Sequence, residues 1–232
     1  QKTRQTAWPL AAAALLMLLG SAAAAVERPL IWPLPQKLAT LPVPFPLDES
    51  VPILLPASPP AADLALARAL VAELSDRHGL ALRIETVASA PAGKRFILMG
   101  SLTNPLVRAQ CARRRLPLPT ATESYLLRVD SEAILVAGAD DAGAFYGLQS
   151  LRQLIGREGE RTSVRGVAIE DQPHLPFRAI RLYLPGPENL AFFKRFLRDF
   201  MALHKFNKVL MEVNASMRLD RHPELNAGWI DF

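Results

Sequence analysis

Cysteine is almost absent: Cys111 stands alone in 232 residues, so no internal disulfide is possible and the chain must hold itself together through its core. Histidine is nearly as scarce. His78, His174, His204 and His222 are scattered, no H-E-x-x-H spacing occurs, and neither a metal site nor a cofactor is implied. Charge of one sign is missing too. The balance of 27 Lys+Arg against 22 Asp+Glu gives +5, and without Lys2 and Arg4 it is 25 against 22, or +3. That excess is too weak to imply nucleic acid, and the one dense run, Arg113 to Arg115, fits a solvated helix end.

The apolar run from Ala7 to Leu19 is shorter than the roughly 20 residues a bilayer span needs, and no basic stop follows it. Lys2 and Arg4 precede it and small residues with alanines at 22 to 25 follow, which is the layout of a secretory signal peptide. Cleavage is expected after Ala24 or Ala25, with export to the periplasm or the outside and no membrane span in the mature chain. No lipid-attachment cysteine follows the run. The oligomeric state is not legible.

What remains is 50% hydrophobic and 21% charged, so a real core can form. Prolines at 33, 35, 42, 44, 46, 52, 56, 59 and 60 exclude helix and allow edge strands or extended chain. Residues 61–78 place Leu64, Leu66, Leu70, Val71 and Leu74 near helical spacing, and Gly79 follows as a C-cap. "LALRIETV" alternates as a strand, "KRFILMG" reads as a short buried strand, and "TNPLVRAQCARRR" as a helix with Pro105 in its first turn. "ESYLLRVDSEAILVAGA" reads as a hairpin turning at Asp130–Glu132. In "AGADDAGAFYGLQSLRQLI", Asp140 and Asp141 suit a helix N-terminus. Leu148, Leu151, Leu154 and Ile155 mark the buried stripe of that helix, and Gly143 and Gly147 form a flat strip for close approach.

From Val164 the pattern becomes strand (164–170), a turn with two prolines, strand (178–184), helix (188–204) and strand (207–213). The helix is expected to bury Leu190, Phe193, Leu197, Phe200, Met201 and Leu203. Strand, helix and strand with short connections make a βαβ unit, hence parallel pairing and a right-handed crossover. The fold class is α/β.

"IWPLPQKL", "ESYLLRV" with the glycine-bearing helix, "VAIEDQPHLPFRAIRLYL" and "FLRDFMALHKFNKVLMEVN", in this order, resemble glycoside hydrolase family 20, the β-N-acetylhexosaminidases. After the signal segment (1–25), the resemblance implies a zincin-like α/β domain (26–160) and the start of a TIM barrel (161–232), with an N-acetylhexosamine-containing glycan as partner. A barrel takes about 250 residues, and 62 follow Glu170, so the family's catalytic Asp-Glu pair is expected beyond Phe232. The implied chemistry is substrate-assisted: a glutamic acid protonates the leaving oxygen while the substrate's acetamido carbonyl attacks the anomeric carbon.

The family pattern W/F-R-G-x-x-x-D-x-x-R meets "FRAIRLYLPG" here. Arg178 matches an arginine that grips the terminal sugar, with Tyr183 in place of the aspartate and Gly186 in place of the second arginine. The alternative for Arg178 is a structural bridge between barrel base and N-terminal domain. In K-x-N-x-x-H-W-H-L, Lys205 and Asn207 match, and Glu212 replaces the second histidine. Glu212 ends a barrel strand, so ligand contact and a buried hydrogen-bonding role both remain open. Asp220, His222 and Glu224 lie in the loop that follows and either rim a site or face solvent. Asp171, before Pro173, reads as a turn former. A catalytically silent carbohydrate-binding relative, and a protein-binding module built on the first domain, are the alternative functions.

Overall fold

Proline density between residues 33 and 60 keeps the chain extended, and this stretch supplies three short strands: β1 (Lys37–Thr40), β2 (Phe45–Leu47) and β3 (Ile53–Leu55). The structure, a computed structural model, describes residues 31–212 and 218–228, and the expected signal segment lies outside them. β3 departs from the edge position expected of so proline-rich a segment. It is buried between two parallel neighbours. Pro52 and Pro56 flank its three residues rather than interrupt them, and the Pro52 carbonyl still accepts from Ile97 N–H at 2.9 Å.

α1 (Ala61–His78) ends at Gly79, whose φ of 67° lets its N–H and that of Leu80 reach the carbonyls of Ser75 and Leu74. β4 (Ile84–Thr86), shorter than the alternation over 80–87 suggests, forms one edge of the main sheet, and β5 (Phe96–Ser101) is buried throughout. α2 (Pro105–Arg113) is capped by Asn104, whose Oδ1 accepts from Leu106 N–H at 2.9 Å. β6 (Tyr125–Val129) and β7 (Ala133–Gly138) form the expected hairpin, with Asp130 Oδ1 accepting from the N–H groups of Glu132 and Ala133. α3 (Asp141–Leu154) opens on Asp140, which accepts from Gly143 N–H at 2.7 Å.

The single strand expected over 164–170 is two strands. β9 (Arg161–Val164) joins β8 (Ile155–Glu158) and β2 in a three-stranded antiparallel sheet. β10 (Val167–Asp171) inserts between β1 and β6 in a seven-stranded mixed sheet of order β1-β10-β6-β7-β5-β3-β4. Gly166 permits the step between them, since a Cβ there would lie 2.5 Å from the Val43 oxygen and 2.8 Å from that of Leu41. The boundary expected at residue 160 therefore falls inside the β8–β9 hairpin. The sheet body runs on to Asp171.

Side chains alternate across the main sheet: Ile97 and Met99 join the cluster under α1 and α3, while Phe96 and Leu98 join that under α2. Both faces being covered, β5 and β7 read as continuous apolar runs. Beyond the sheet body, β11 (Ala179–Tyr183) pairs in parallel with β12 (Lys208–Glu212), as the βαβ reading requires. Their connection is a 3-10 turn (Pro187–Asn189), α4 (Leu190–Phe196) and a π turn (Leu197–Ala202). Of the six apolar residues expected to be buried there, only Met201 is; Leu190 and Phe200 are more than 40% exposed. The stripe exists, but the described residues do not cover it.

The two helix glycines are packing devices, as the sequence suggests. Gly143 lies against the Ser124 carbonyl oxygen and Gly147 against Val136, and a Cβ on Gly147 would also stand 3.2 Å from the Tyr125 ring. Replacing either with alanine gains up to about 1 kcal/mol of helix propensity, against an overpacking cost of about 1–3 kcal/mol. Gly143→Ala should be the worse, because a backbone carbonyl yields less than a side chain. Thermal unfolding followed by circular dichroism is expected to show both midpoints lowered, by roughly 2–4 °C per kcal/mol lost. Midpoints at or above the parent value would contradict the packing role.

Candidate functional site

The two candidate ligand residues stand at opposite ends of one strand pair. Arg178 immediately precedes β11, whereas Glu212 closes β12 and pairs in register with Tyr183. Five residues of strand separate the two levels, about 16 Å at 3.3 Å per residue. They cannot grip one sugar together.

At the amino end the polar groups converge. Asp140, having capped α3 with one carboxylate oxygen, accepts from Glu123 N–H at 2.9 Å with the other. This holds Glu123 at a φ of 62°, and its Oε2 meets an Arg178 terminal nitrogen at 2.7 Å. The other terminal nitrogen of Arg178 donates to the Leu175 carbonyl at 2.7 Å and Nε to that of Lys205 at 2.8 Å. The guanidinium also lies 5.2 Å from the centre of the Tyr146 ring. Asn207 closes the group: it accepts from Arg178 N–H at 3.0 Å and donates to the Pro176 carbonyl at 2.8 Å.

Beside it lies a second pair. Lys205 Nζ donates to Asp171 Oδ2 and to the Tyr125 hydroxyl, each at 2.8 Å, with side-chain exposures of 8% for Lys205 and 11% for Asp171. The Tyr125 hydroxyl donates to Asp171 at 2.9 Å and stands 2.7 Å from Ser150 Oγ, which leaves the serine as donor. Burial pushes the Lys205 ammonium below its usual range, with the Asp171 carboxylate pulling the other way. Burial, and then the Asp171 charge, push the Tyr125 hydroxyl well above its usual value. Asp171 thus does more than form a turn. A cavity of about 190 Å³ opens over these groups, walled by Leu34, Tyr146, His174 and Leu175.

The carboxyl end is simpler. Glu212 pairs with Arg181 Nε at 3.1 Å, and the Arg181 guanidinium lies 5.8 Å from the centre of the Tyr183 ring, itself 59% exposed. Asp220, His222 and Glu224 are exposed, and their recorded contacts are local: Arg218 with Asp220 at 3.9 Å and His222 with Glu224 at 3.1 Å. Among the described residues no group of three or more His, Cys, Asp or Glu is placed to hold a metal ion, and no helix is long and apolar enough to cross a membrane.

Glu123 and Tyr125 carry no local signal of a role in the sequence. The one available signal was indirect: both lie in the "ESYLLRV" stretch that carries the resemblance, as Lys205 and Asn207 lie in the K-x-N match.

The family model described as "Glycosyl hydrolase family 20, domain 2" matches residues 28–172, in accord with a sheet body that ends at Asp171. A β-hexosaminidase of Porphyromonas gingivalis is 30% identical over 190 residues, 77% of this chain and 22% of that protein. One of Vibrio vulnificus is 42% identical over 88 residues, 37% of this chain and 10% of that protein. The chain therefore spans about a tenth to a fifth of the curated relatives. The solved structure of a glycoside hydrolase family 20 β-N-acetylglucosaminidase is 26% identical, with a TM-score of 0.58, over 86% of this chain and 34% of that one. With more than half of its length matched by the family model, the chain belongs to glycosyl hydrolase family 20.

Proposed function

We propose that the chain is the amino-terminal part of an exported β-N-acetylhexosaminidase-like glycoside hydrolase. The complete protein would remove terminal N-acetylhexosamine from glycans by the substrate-assisted retaining route, its catalytic Asp-Glu pair lying beyond residue 232. One observation carries this reading. Directly after a family 20 domain 2, the parallel pair β11–β12 and its crossover helix present apolar faces, Leu210, Met211, Phe192 and Phe200 among them, that the described residues leave uncovered. That is how the first unit of a (β/α)8 barrel looks without the rest.

The active face of such a barrel is its carboxyl end. Glu212 is accordingly proposed to contact the sugar, with Tyr183 beside it. Arg178 sits at the other end with all its guanidinium nitrogens hydrogen-bonded to protein, which favours the structural bridge over the sugar ligand. A catalytically silent carbohydrate-binding relative is the second reading. It is favoured by the register pair Tyr183 and Glu212, standing where the family pattern carries aspartate and histidine.

In a protein that includes the rest of the barrel, an aryl β-N-acetylglucosaminide should be hydrolysed; a complete barrel that binds the sugar without turnover supports the silent relative. Glu212→Gln removes the charge from a hydrogen-bonding group worth roughly 1.5–3 kcal/mol. kcat/KM should fall about 10- to 150-fold with the melting temperature unchanged. Arg178→Ala should do the reverse, lowering the melting temperature while kcat/KM per folded molecule is kept. An Arg178→Ala protein that melts normally but is inactive would restore Arg178 as the sugar ligand. Export predicts a mature chain beginning at Ala25 or Val26 by mass spectrometry, and an uncleaved cytoplasmic product contradicts it.

A further inference from the structure

We infer that the sheet body clamps the β11–β12 pair by its amino ends through two carboxylates, Glu123 and Asp171, and that releasing either one frees the pair while the sheet body stays folded. This does not depend on what the complete protein hydrolyses.

The strand pair has little else to hold it. A two-stranded sheet is marginal by itself, four of the five β12 residues are exposed, and α4 with its π turn buries only Met201. The polar contacts between the bodies are dense by comparison. Arg178 and Lys205 bring two cations to the seam, and Glu123 and Asp171 answer them from the sheet body at 2.7 and 2.8 Å. Further contacts from α3 and α1 reach the crossover connection rather than the strands: Arg152 meets Glu73 at 2.8 Å and Asp199 at 3.4 Å, Arg77 meets Asp199 at 3.4 Å, and Gln153 donates to the Leu203 carbonyl at 3.3 Å.

Backbone conformation gives the seam its sharpest test. Glu123 and Lys205 both hold left-handed φ angles, 62° and 61°, where glycine is favoured and a long charged side chain is not. On backbone grounds alone, glycine at either position should be neutral or stabilising. The geometry explains why the charged residues stand there: at these two positions a side chain leaving a left-handed residue reaches the opposite body. Lys205 terminates the π turn, its N–H donating to the Ala202 carbonyl at 2.9 Å, and its side chain turns back to Asp171. Arg115 supplies the control. It has a φ of 53°, is exposed, and no side-chain hydrogen bond is recorded for it among the described residues.

Glu123→Gly, Lys205→Gly and Arg115→Gly, each made in the whole chain, separate backbone relief from lost clamping. Hydrogen exchange by mass spectrometry should show β11 and β12 peptides exchanging roughly 10- to 100-fold faster in the first two variants, as for one or two lost charge-assisted bonds. Peptides from β5, β6 and β7 should keep the parent rate, and Arg115→Gly should match the parent throughout. The inference is overturned if Lys205→Gly and Glu123→Gly behave as Arg115→Gly does. It is equally overturned if the β5–β7 peptides lose protection together with β11 and β12, because the seam would then support the sheet as well.

Discussion

A lysine ammonium almost wholly removed from water is tolerable only with its countercharge and hydrogen bonds in place, and Lys205 has both in Asp171 and Tyr125. Much of the local architecture serves to keep that arrangement. Tyr125 must lie with its hydroxyl between Ser150 and Asp171, so β6 has to pass closely under α3. Glycine at 147 allows the ring to sit there, and glycine at 143 lets the helix start press on the Ser124 carbonyl. Asp140 then joins that helix start to Glu123, which in turn answers Arg178. The unusual helix opening, two acids and two glycines within eight residues, thus traces back to a seam between two bodies.

Elements whose pattern is set by local chemistry were legible in the sequence. The Asp140 cap, the Gly79 stop, the hairpin at Asp130 and the parallel βαβ pairing all stand where residue type and spacing put them. Those decided by long-range pairing were not. β3 reads as an edge because it is bracketed by prolines, yet it is paired on both sides, since a proline outside the ladder costs no hydrogen bond. The β9–β10 break depends on how close Gly166 comes to the carbonyls of Leu41 and Val43, more than 120 positions away in sequence. The site divided in the same way. The family patterns mark Arg178, Lys205 and Asn207 but not their partners, because nothing local to Asp171 or Glu123 announces a cation 34 or 55 residues downstream.

The strand pair therefore has two ends with different surroundings. Its amino end is closed on itself: the cations are paired and the backbone carbonyls of Leu175, Pro176 and Lys205 are engaged. Its carboxyl end leaves Tyr183 exposed and Glu212 tied to one exposed arginine, which a ligand could displace at little cost. Family membership gives the sheet body its name. The proposed function puts recognition at the carboxyl end of β11 and β12 and anchoring at their amino end.

The central claim, that charge pairing at the seam couples the two bodies, is tested most directly by a double-mutant cycle on Glu123 and Arg178. Chemical unfolding of Glu123→Gln, Arg178→Met and the double variant measures the interaction. Each single change should cost more stability than it does when its partner is already replaced, with a coupling energy of about 1–3 kcal/mol. Additive losses, with coupling near zero, would contradict the account.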